Sequence, residues 1–281
     1  MTTLDKRLHV FRPDLADVAL QGRVEAARFV DGRTAQLVWP VTSVRRAPQN
    51  EAMQISQALY GETCKVFENA NGWAWVQLDG DGYVGYVLAA GLGKREADAT
   101  HKVVVPTAHI YPKADLKTQP ALSIPMNALL AVSSDTDDYL ALQGSGFVFA
   151  KHVARINHHE NDFVAVAEKF LHVPYLWGGK TMQGIDCSGL VQVSLQACGI
   201  KARRDSDMQE NELGTARNPQ DFSNLQRGDL VFWKGHVGIM QDEKQLLHAN
   251  GHHMLTVSEP LATAAARIAA KGSPVTVIKR L

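Results

Sequence analysis

Asp186-Cys187-Ser188-Gly189 is the stretch that decides the fold of this 281-residue chain, because it predicts both the start of a helix and the position of a nucleophile. Aspartate is a favoured N-cap residue, so Cys187 falls in the first turn of a helix that should begin at Asp186 and stop at Gly199. A helix N-terminus carries partial positive charge and unbonded N–H groups, which favour a thiolate, lower its pKa and can hold an oxyanion. The cysteine by itself leaves open the alternative of an ordinary buried thiol.

An imidazole partner for this cysteine is offered by Gly235-His236-Val237-Gly238-Ile239. A thiolate nucleophile needs a neighbouring imidazole to form an ion pair and then to protonate the leaving amine. A three-residue turn at Asp242-Glu243-Lys244 would pair residue 241 with residue 245 and place His248 diagonally beside His236 on one face of the sheet. His248 could then orient His236, as the third member of a triad does. A four-residue loop would put His248 on the opposite face, and an isolated histidine in a strand is more often a satisfied core residue.

A zinc site is an alternative interpretation of Cys187, His236 and His248, since they offer one sulfur and two nitrogens. The sequence has no close ligand pair such as Cys-x-x-Cys, and His252 and His253 are typical of a turn. We therefore expect no metal and no cofactor.

The three cysteines predict no disulfide framework, since their number is odd. Cys187 and Cys198 should lie on one helix, separated by about 16 Å of helical rise. A disulfide tolerates only roughly 4.4–6.8 Å between Cα atoms. Cys64 and Cys198 stand among apolar residues, where cysteine packs as a small hydrophobe.

The charge balance limits the class of partner. Basic and acidic residues number 29 each, so the formal net charge is zero. Nucleic acids and anionic membranes need a basic excess on some face of the protein, and we expect neither as a partner. The one dense basic run, Arg203-Arg204 after Lys201, is interpreted as a solvated loop. No apolar stretch of signal-peptide or membrane-span length occurs, which predicts a cytoplasmic location.

The first half of the chain contains two similar segments, residues 72–87 and 138–149. Each joins an alternating strand, through a glycine turn, to an aromatic strand, and this pattern predicts a hairpin. We expect an N-terminal extension (1–33) followed by two small SH3-like barrels, 34–97 and 98–155.

The second half, residues 156–281, has helical spacing first and strand alternation later. An amphipathic helix should begin after Asn161-Asp162 and end at Pro174, and the helix that carries Cys187 follows it. Alternating segments come next, at residues 229–233, 236–241, 245–250, 254–258 and 274–279. Helices followed by an antiparallel sheet predict an α+β domain.

Several motifs of this second half, in the same order, resemble those of the NlpC-type cell-wall peptidases, a compact branch of the papain-like superfamily. They are Pro174-Tyr175-Leu176-Trp177-Gly178-Gly179, Asp186-Cys187-Ser188-Gly189-Leu190, Arg227-Gly228-Asp229-Leu230 and Gly235-His236-Val237-Gly238-Ile239, with His248. The resemblance spans about residues 160–280. It implies an α+β papain-like (NlpC-type) catalytic domain preceded by two small all-β SH3-like barrels.

The resemblance also implies a role for each matching residue. Cys187 would attack the carbonyl carbon, His236 would act as base and then as acid, and His248 would orient His236. Tyr175 would help to bind the oxyanion or the scissile region, and Trp177 would line the substrate pocket.

The arrangement of SH3-like modules before such a domain resembles that of one subgroup of the family, the γ-D-glutamyl-L-diamino acid endopeptidases of muropeptide recycling. This subgroup implies a substrate with a free N-terminal L-alanine, whose amine is bound by acidic and tyrosine side chains because a buried ammonium needs a carboxylate. The matching positions are Asp186, Ser188, Asp205, Ser206, Tyr83 and Glu51. Glu51 fits a solvated loop carboxylate equally well.

The sequence is compatible with three functions. A cytoplasmic recycling endopeptidase acting on L-Ala-γ-D-Glu-diamino acid, a peptidoglycan-derived peptide, agrees with all the motifs. A lytic peptidoglycan hydrolase acting on intact cell wall would need export, and an inactive domain would leave a peptide-binding module. Diaminopimelate and lysine both suit the third position of the substrate, and the sequence carries no signal for an oligomeric state.

Overall fold

The computed structural model describes residues 4–95, 97–136 and 138–281. The chain forms two compact units, Met1–Ile156 and Asn157–Leu281. The boundary falls where the sequence changes from hairpin patterns to helical spacing.

The N-terminal unit consists of short strands and three 3₁₀ turns. The strands are β1 (Ala16–Asp17), β2 (Phe29–Val30), β3 (Arg33–Leu37), β4 (Val41–Arg45), β5 (Gln54–Leu59), β6 (Thr63–Ala70), β7 (Trp73–Leu78), β8 (Val84–Leu88), β9 (Leu92–Gly93), β10 (His101–Val103), β11 (Thr107–Tyr111), β12 (Leu122–Pro125), β13 (Leu129–Leu130), β14 (Val132–Thr136), β15 (Tyr139–Leu142), β16 (Phe147–Phe149) and β17 (Val153–Arg155). The 3₁₀ turns are Val18–Leu20, Ala89–Gly91 and Ala150–His152.

Strands β3 to β9 form a seven-stranded sheet in the order β5-β4-β8-β7-β6-β3-β9. Alternate positions point inward, as a half-buried strand requires, and Leu37, Val44 and Val76 lie in the core they enclose. β7 and β8 pair antiparallel with Val76 opposite Gly85, so the first predicted hairpin is confirmed.

Strands β10 to β17 surround a second core, which includes Val103, Ile124 and Val148. β10, β13 and β17 form a three-stranded sheet, and the other sheet runs in the order β12-β11-β16-β15-β14. β15 and β16 pair with Leu140 opposite Val148, which confirms the second predicted hairpin. The SH3-like character of this second module stays a prediction.

The predicted N-terminal extension is part of the first module. Val10 and Leu15 are buried in one cluster with Phe67 and Trp75 of the seven-stranded sheet. The first three residues of the extension lie outside the described residues.

The C-terminal unit has helices on a six-stranded antiparallel sheet. Its elements are α1 (Phe163–Glu168), β18 (Lys180–Thr181), β19 (Gly184–Ile185), α2 (Cys187–Ala197), α3 (Ser206–Glu212), β20 (Thr215–Arg217), β21 (Leu230–Trp233), β22 (His236–Met240), β23 (Gln245–Asn250), β24 (Leu255–Pro260), α4 (Leu261–Ala269) and β25 (Val275–Arg280). The sheet order is β20-β25-β21-β22-β23-β24. α2 packs against β22 and β23, and α4 packs against β23 and β24.

Both predicted helices begin where the sequence places them. Asp162 caps α1 by accepting from the N–H groups of Val164 and Ala165. α1 nevertheless ends at Glu168, well before Pro174, because the following turns use tighter bonds such as Phe170 N–H to Ala167 O. α2 ends before Gly199, whose φ of +76° is the left-handed conformation of a helix stop.

Two helices and one edge strand were not anticipated. α3 has a polar seven-residue sequence with little periodicity, and the edge strand β20 is exposed along its length. α4 is rich in alanine, the residue with the highest helix propensity. Its residues Leu261 and Ala264 complete a core with Trp233 of the sheet.

Candidate active site

Cys187 is the first residue of α2, and local contacts fix its position. The Asp186 carboxylate caps the helix, with Oδ1 accepting from Gly189 N–H at 2.7 Å. A Cβ at position 189 would collide with the carbonyl oxygen of Gly179, so only glycine allows this approach of the two segments. Cys187 is buried but retains 7% of its exposure.

The thiol of Cys187 lies against the strand that carries the predicted base. Its sulfur accepts a hydrogen bond from the backbone N–H of Val237, the residue that follows His236 in β22. The N–H of Ser188, in the first turn of α2, also bonds to the sulfur. The arrangement therefore combines a helix N-terminus, a thiol and an imidazole-bearing strand, as activation of a cysteine nucleophile requires.

The protonation state of the pair differs from the sequence expectation. Burial raises the pKa of the Cys187 thiol to about 12, and the neighbouring Asp186 adds to this effect. Burial also lowers the pKa of His236 to about 3, with His248 acting in the same direction. The prediction of a lowered thiol pKa was wrong, because desolvation outweighs the helix N-terminus and the backbone hydrogen bonds. Both shifts favour a thiol beside a neutral imidazole, from which the proton would move to His236 as the sulfur attacks.

The relation between the two histidines was predicted correctly. β22 and β23 pair with Ile239 opposite Leu247, and Gln241 N–H donates to Gln245 O, so the turn has three residues. His236 and His248 consequently lie on one face of the sheet, with Nε2 of His236 2.9 Å from Nδ1 of His248.

The hydrogen-bonded chain continues past His248 to two residues that no sequence motif singles out. Nε2 of the fully buried His248 lies 2.8 Å from Oε1 of Glu259 in β24. Glu259 in turn accepts from Nη1 and Nη2 of Arg267 at 2.7 and 2.5 Å. The register of β23 with β24 places Glu259 diagonally beside His248, and only that register could have revealed it.

This chain fixes the tautomer of both imidazoles. Hydrogen bonds from Arg267 lower the pKa of Glu259 to about 2, so the carboxylate is ionised and can only accept. His248 must then carry its proton on Nε2 and accept at Nδ1 from the Nε2–H of His236. The Nδ1 atom of His236 is left unprotonated, and it is the atom that can take the thiol proton.

Glu259 is therefore a positioning residue, and Glu259→Gln is expected to lower kcat about tenfold with KM unchanged. Changing the direct carboxylate partner of a catalytic histidine lowers kcat about 10⁴-fold. The loss expected here is smaller, because Glu259 acts on His236 only through His248. Steady-state kinetics give the kcat and KM values, and ¹⁵N NMR of the His248 ring shows whether its tautomer changes.

Glu243→Gln is the matched control, since Glu243 is an exposed carboxylate in the β22–β23 turn of the same unit. A Glu259→Gln variant that keeps both the parental kcat and the parental His248 tautomer would show that the carboxylate does not position the pair.

Asp186 and Ser188 form a buried cluster with Arg204. Arg204 is 1% exposed, its Nη2 lies 2.7 Å from Asp186 Oδ2, and its Nη1 donates to Ser188 Oγ at 2.9 Å. Gly178 N–H also donates to Asp186 Oδ2, at 2.7 Å. The interpretation of Arg203-Arg204 as a solvated loop was wrong for Arg204, because a buried capping carboxylate needs a buried counter-charge.

Asp205 and Ser206 come directly after this arginine, at the start of α3. Gln209 of α3 donates to Ser188 O at 2.9 Å, which ties α3 to the first turn of the nucleophile helix. Asp205 takes the N-cap position of α3 without a side-chain capping bond. The assignment of Asp186, Ser188, Asp205 and Ser206 to substrate binding stays a prediction.

Tyr175 and Trp177 lie in the segment that precedes α2. Burial raises the pKa of Tyr175, and Cys187 is the next contributor, so the hydroxyl stays protonated near the thiol and can donate to an oxyanion. Trp177 is 57% exposed. Tyr83 and Glu51 belong to the N-terminal unit, where Tyr83 is buried and Glu51 exposed. Their recognition roles stay predictions.

Within the described residues, no group of three or more His, Cys, Asp or Glu side chains is arranged to hold a metal ion. Nor does any helix in that part of the chain have the length and apolar character needed to cross a membrane. Cys64, Cys187 and Cys198, all of them described, form no disulfide, and Cys198 is half-buried rather than buried as expected.

Comparison with known proteins relates both units to described families. Residues 172–267 match the model described as NlpC/P60 family. Residues 44–92 match the model described as bacterial dipeptidyl-peptidase Sh3 domain.

Individual relatives match longer parts of the chain. A Bacillus cereus protein named gamma-D-glutamyl-L-lysine dipeptidyl-peptidase is 28% identical over 226 residues, which cover 69% of this chain and 66% of the relative. Dipeptidyl-peptidase 6 of Lysinibacillus sphaericus is 31% identical over 112 residues, 40% of each protein. The chain thus spans less than two thirds of the length of these curated relatives.

A solved structure shares the fold. The crystal structure of an NlpC/P60 family protein from Bacillus cereus superposes with a TM-score of 0.75 at 21% identity, covering 88% of this chain and 99% of that one.

Proposed function

We propose that this chain is a cysteine peptidase of the NlpC/P60 type, and that it hydrolyses the bond between γ-linked D-glutamate and a diamino acid in peptidoglycan-derived peptides with a free N-terminal L-alanine. The observation that carries this proposal is the Cys187 thiol at the start of α2, bonded to Val237 N–H beside His236. Two relatives named gamma-D-glutamyl-L-lysine dipeptidyl-peptidase and the dipeptidyl-peptidase type of SH3 module support the choice of bond.

The acylation step follows from the tautomers. Sγ of Cys187 attacks the γ-carbonyl carbon of D-glutamate while its proton passes to Nδ1 of His236. The carbonyl oxygen becomes an oxyanion, which the N-terminal turn of α2 and the Tyr175 hydroxyl would stabilise. His236 then gives the proton to the amine of the diamino acid, the C–N bond breaks, and a thioester between Cys187 and the L-Ala-D-Glu portion is left.

The deacylation step reverses these roles. Water gives a proton to His236 Nδ1 as it attacks the thioester, the C–S bond breaks, and the thiolate recovers the proton. His248 and Glu259 hold the His236 imidazole in the productive tautomer through both steps, so both acylation and deacylation depend on these two residues.

The free amine of the substrate would be recognised by carboxylates, and Asp205 is the candidate in this unit that directly follows the buried cluster. A small peptide with a free amine is a released fragment rather than intact wall, so we include a recycling role and a cytoplasmic location in the proposal.

Incubation with L-Ala-γ-D-Glu-meso-diaminopimelate should release L-Ala-D-Glu, measured by mass spectrometry. The N-acetylated tripeptide should resist cleavage, because acetylation removes the charge that a carboxylate would bind. Efficient cleavage of the acetylated peptide would refute the free-amine rule. Release of soluble fragments from purified sacculi would instead support a lytic enzyme, and absence of any dipeptide would count against the proposed bond.

A further inference from the structure

The turn that joins β23 to β24, residues 251–254, ends in an unusual backbone conformation. Met254 has a φ of +53°, in the left-handed region that residues other than glycine rarely adopt. Met254 is 58% exposed, so burial of its side chain does not account for this conformation. A residue that its surroundings hold in this region suggests a role for its backbone groups.

The backbone oxygen of Met254 anchors Tyr175, the residue whose hydroxyl can donate to an oxyanion. This oxygen accepts from the N–H of Tyr175 at 2.9 Å. Two residues further along β24, Thr256 N–H donates to Val173 O at 2.8 Å, so the segment before Tyr175 runs along the edge of β24. The bond to Met254 O therefore fixes the point at which Tyr175 leaves this edge.

The segment that leads into the nucleophile holds Tyr175 from the other side. Leu176 N–H donates to Ile185 O at 3.1 Å, and Ile185 stands two residues before Cys187. After burial, Cys187 is the next contributor to the raised pKa of Tyr175, which agrees with a hydroxyl close to the thiol. The backbone of Tyr175 thus connects the histidine-bearing sheet with the start of α2.

Asn250, the last residue of β23, caps the 251–254 turn. Its Oδ1 accepts from the backbone N–H groups of His252 and His253 at 3.1 and 2.9 Å, as in an Asx turn. Asn250 is only 6% exposed, and a buried amide destabilises a protein unless it is hydrogen-bonded. Since residues 251–254 are exposed, the turn is fixed from its buried end.

We propose that Asn250 is a positioning residue for the Tyr175 hydroxyl, acting through the 251–254 turn and the Met254 carbonyl. The inference rests on the proposed cysteine-peptidase function. A displacement of about 1 Å from the productive geometry can cost about 10²-fold in rate. Loss of the cap should therefore lower kcat and leave KM unchanged, because the oxyanion forms only during the reaction.

The test measures kcat and KM on L-Ala-γ-D-Glu-meso-diaminopimelate. Asn250→Ala should lower kcat about tenfold, less than the loss that a full displacement would cause. Asn250→Ser keeps an acceptor oxygen for the turn and should recover most of the activity. Asn218→Ala is the matched control, because Asn218 Oδ1 accepts from Gln220 N–H at 3.0 Å in an exposed loop, and its replacement should leave kcat unchanged.

A double variant separates this role from a direct one. Tyr175→Phe removes the hydroxyl and should lower kcat by about 10²-fold, the scale of losing one oxyanion donor. Adding Asn250→Ala to Tyr175→Phe should cause no further loss, since the group that Asn250 positions is already absent. A further tenfold loss would show that Asn250 acts on the substrate or on the histidines, and would overturn the inference.

A second pair of variants decides if circular dichroism shows that Asn250→Ala does not fold. Glycine adopts a positive φ without steric cost, whereas a β-branched residue does so rarely. Met254→Val should therefore have a kcat about tenfold below that of Met254→Gly, on the same scale of misplacement. Equal kcat values for these two variants would overturn the inference.

The remaining outcomes separate the inference from the proposed function. Parental kcat in Asn250→Ala, or in Tyr175→Phe, overturns the positioning role while the proposed function stands. A serine variant as slow as the alanine variant shows that the cap is not the cause, with the same result. Failure of the parent protein to cleave the peptide overturns both.

Discussion

Replacing Cys187 by alanine is expected to lower kcat/KM on an L-Ala-γ-D-Glu-diamino acid peptide by at least about 10³-fold, as for other activated nucleophiles. Cys187 is the first residue of α2, and in the proposed mechanism the acyl intermediate forms on its sulfur. Because alanine retains Cβ and the backbone hydrogen bonds of the first turn, the fold should be unchanged. The measurement is steady-state kinetics, with intact-protein mass spectrometry of the parent to detect the thioester.

Cys198→Ser is the matched control for this variant. Cys198 caps the other end of α2 and is half-buried, so its replacement removes a thiol from the same helix without touching the reaction. Equal activity of the Cys187→Ala variant and the parent would overturn the nucleophile assignment. If the parent and the Cys187→Ala variant both bind the peptide tightly and neither turns it over, the protein is a peptide-binding module.

Features that depend on neighbouring residues could be predicted from the sequence. The cap at Asp186 places Cys187 because an N-cap bond reaches only three residues along the chain. The three-residue turn after Gln241 fixes the register of β22 and β23, and with it the contact between His236 and His248. In both cases a local rule decides the geometry of the site.

Features that depend on distant residues could not be predicted in this way. Glu259 reaches His248 through a second hairpin whose register the sequence does not display, and Arg267 of α4 in turn binds Glu259. Arg204 stands in a polar segment, and its burial depends on Asp186, eighteen positions earlier, occupying the site that needs a counter-charge. The raised pKa of Cys187 is likewise a result of burial, which only the packed structure reveals.

Arg204→Met is expected to destabilise the C-terminal unit by about 3–5 kcal/mol, the cost of leaving one member of a buried ion pair without its partner. The guanidinium is 1% exposed and binds Asp186 Oδ2 and Ser188 Oγ. Methionine would fill its volume but would leave the buried Asp186 carboxylate without a counter-charge. Urea unfolding followed by tryptophan fluorescence measures the change. Arg203→Met is the control, because Arg203 makes an exposed pair with Glu212 at 3.2 Å, worth only about 0–1 kcal/mol.

The double variant Asp186→Asn/Arg204→Met identifies the cause of this loss. Asparagine keeps an oxygen for the Gly189 N–H and removes the charge, so the double variant should regain much of the stability that Arg204→Met loses. If the double variant is as unstable as the single one, the guanidinium acts through packing and hydrogen bonds to Ser188 and Gly179 rather than by neutralising Asp186. Recovery would mean that the charge of Asp186 is already balanced inside the protein. The ammonium of a substrate would then bind a carboxylate at another residue, and Asp205, which directly follows Arg204, is the candidate.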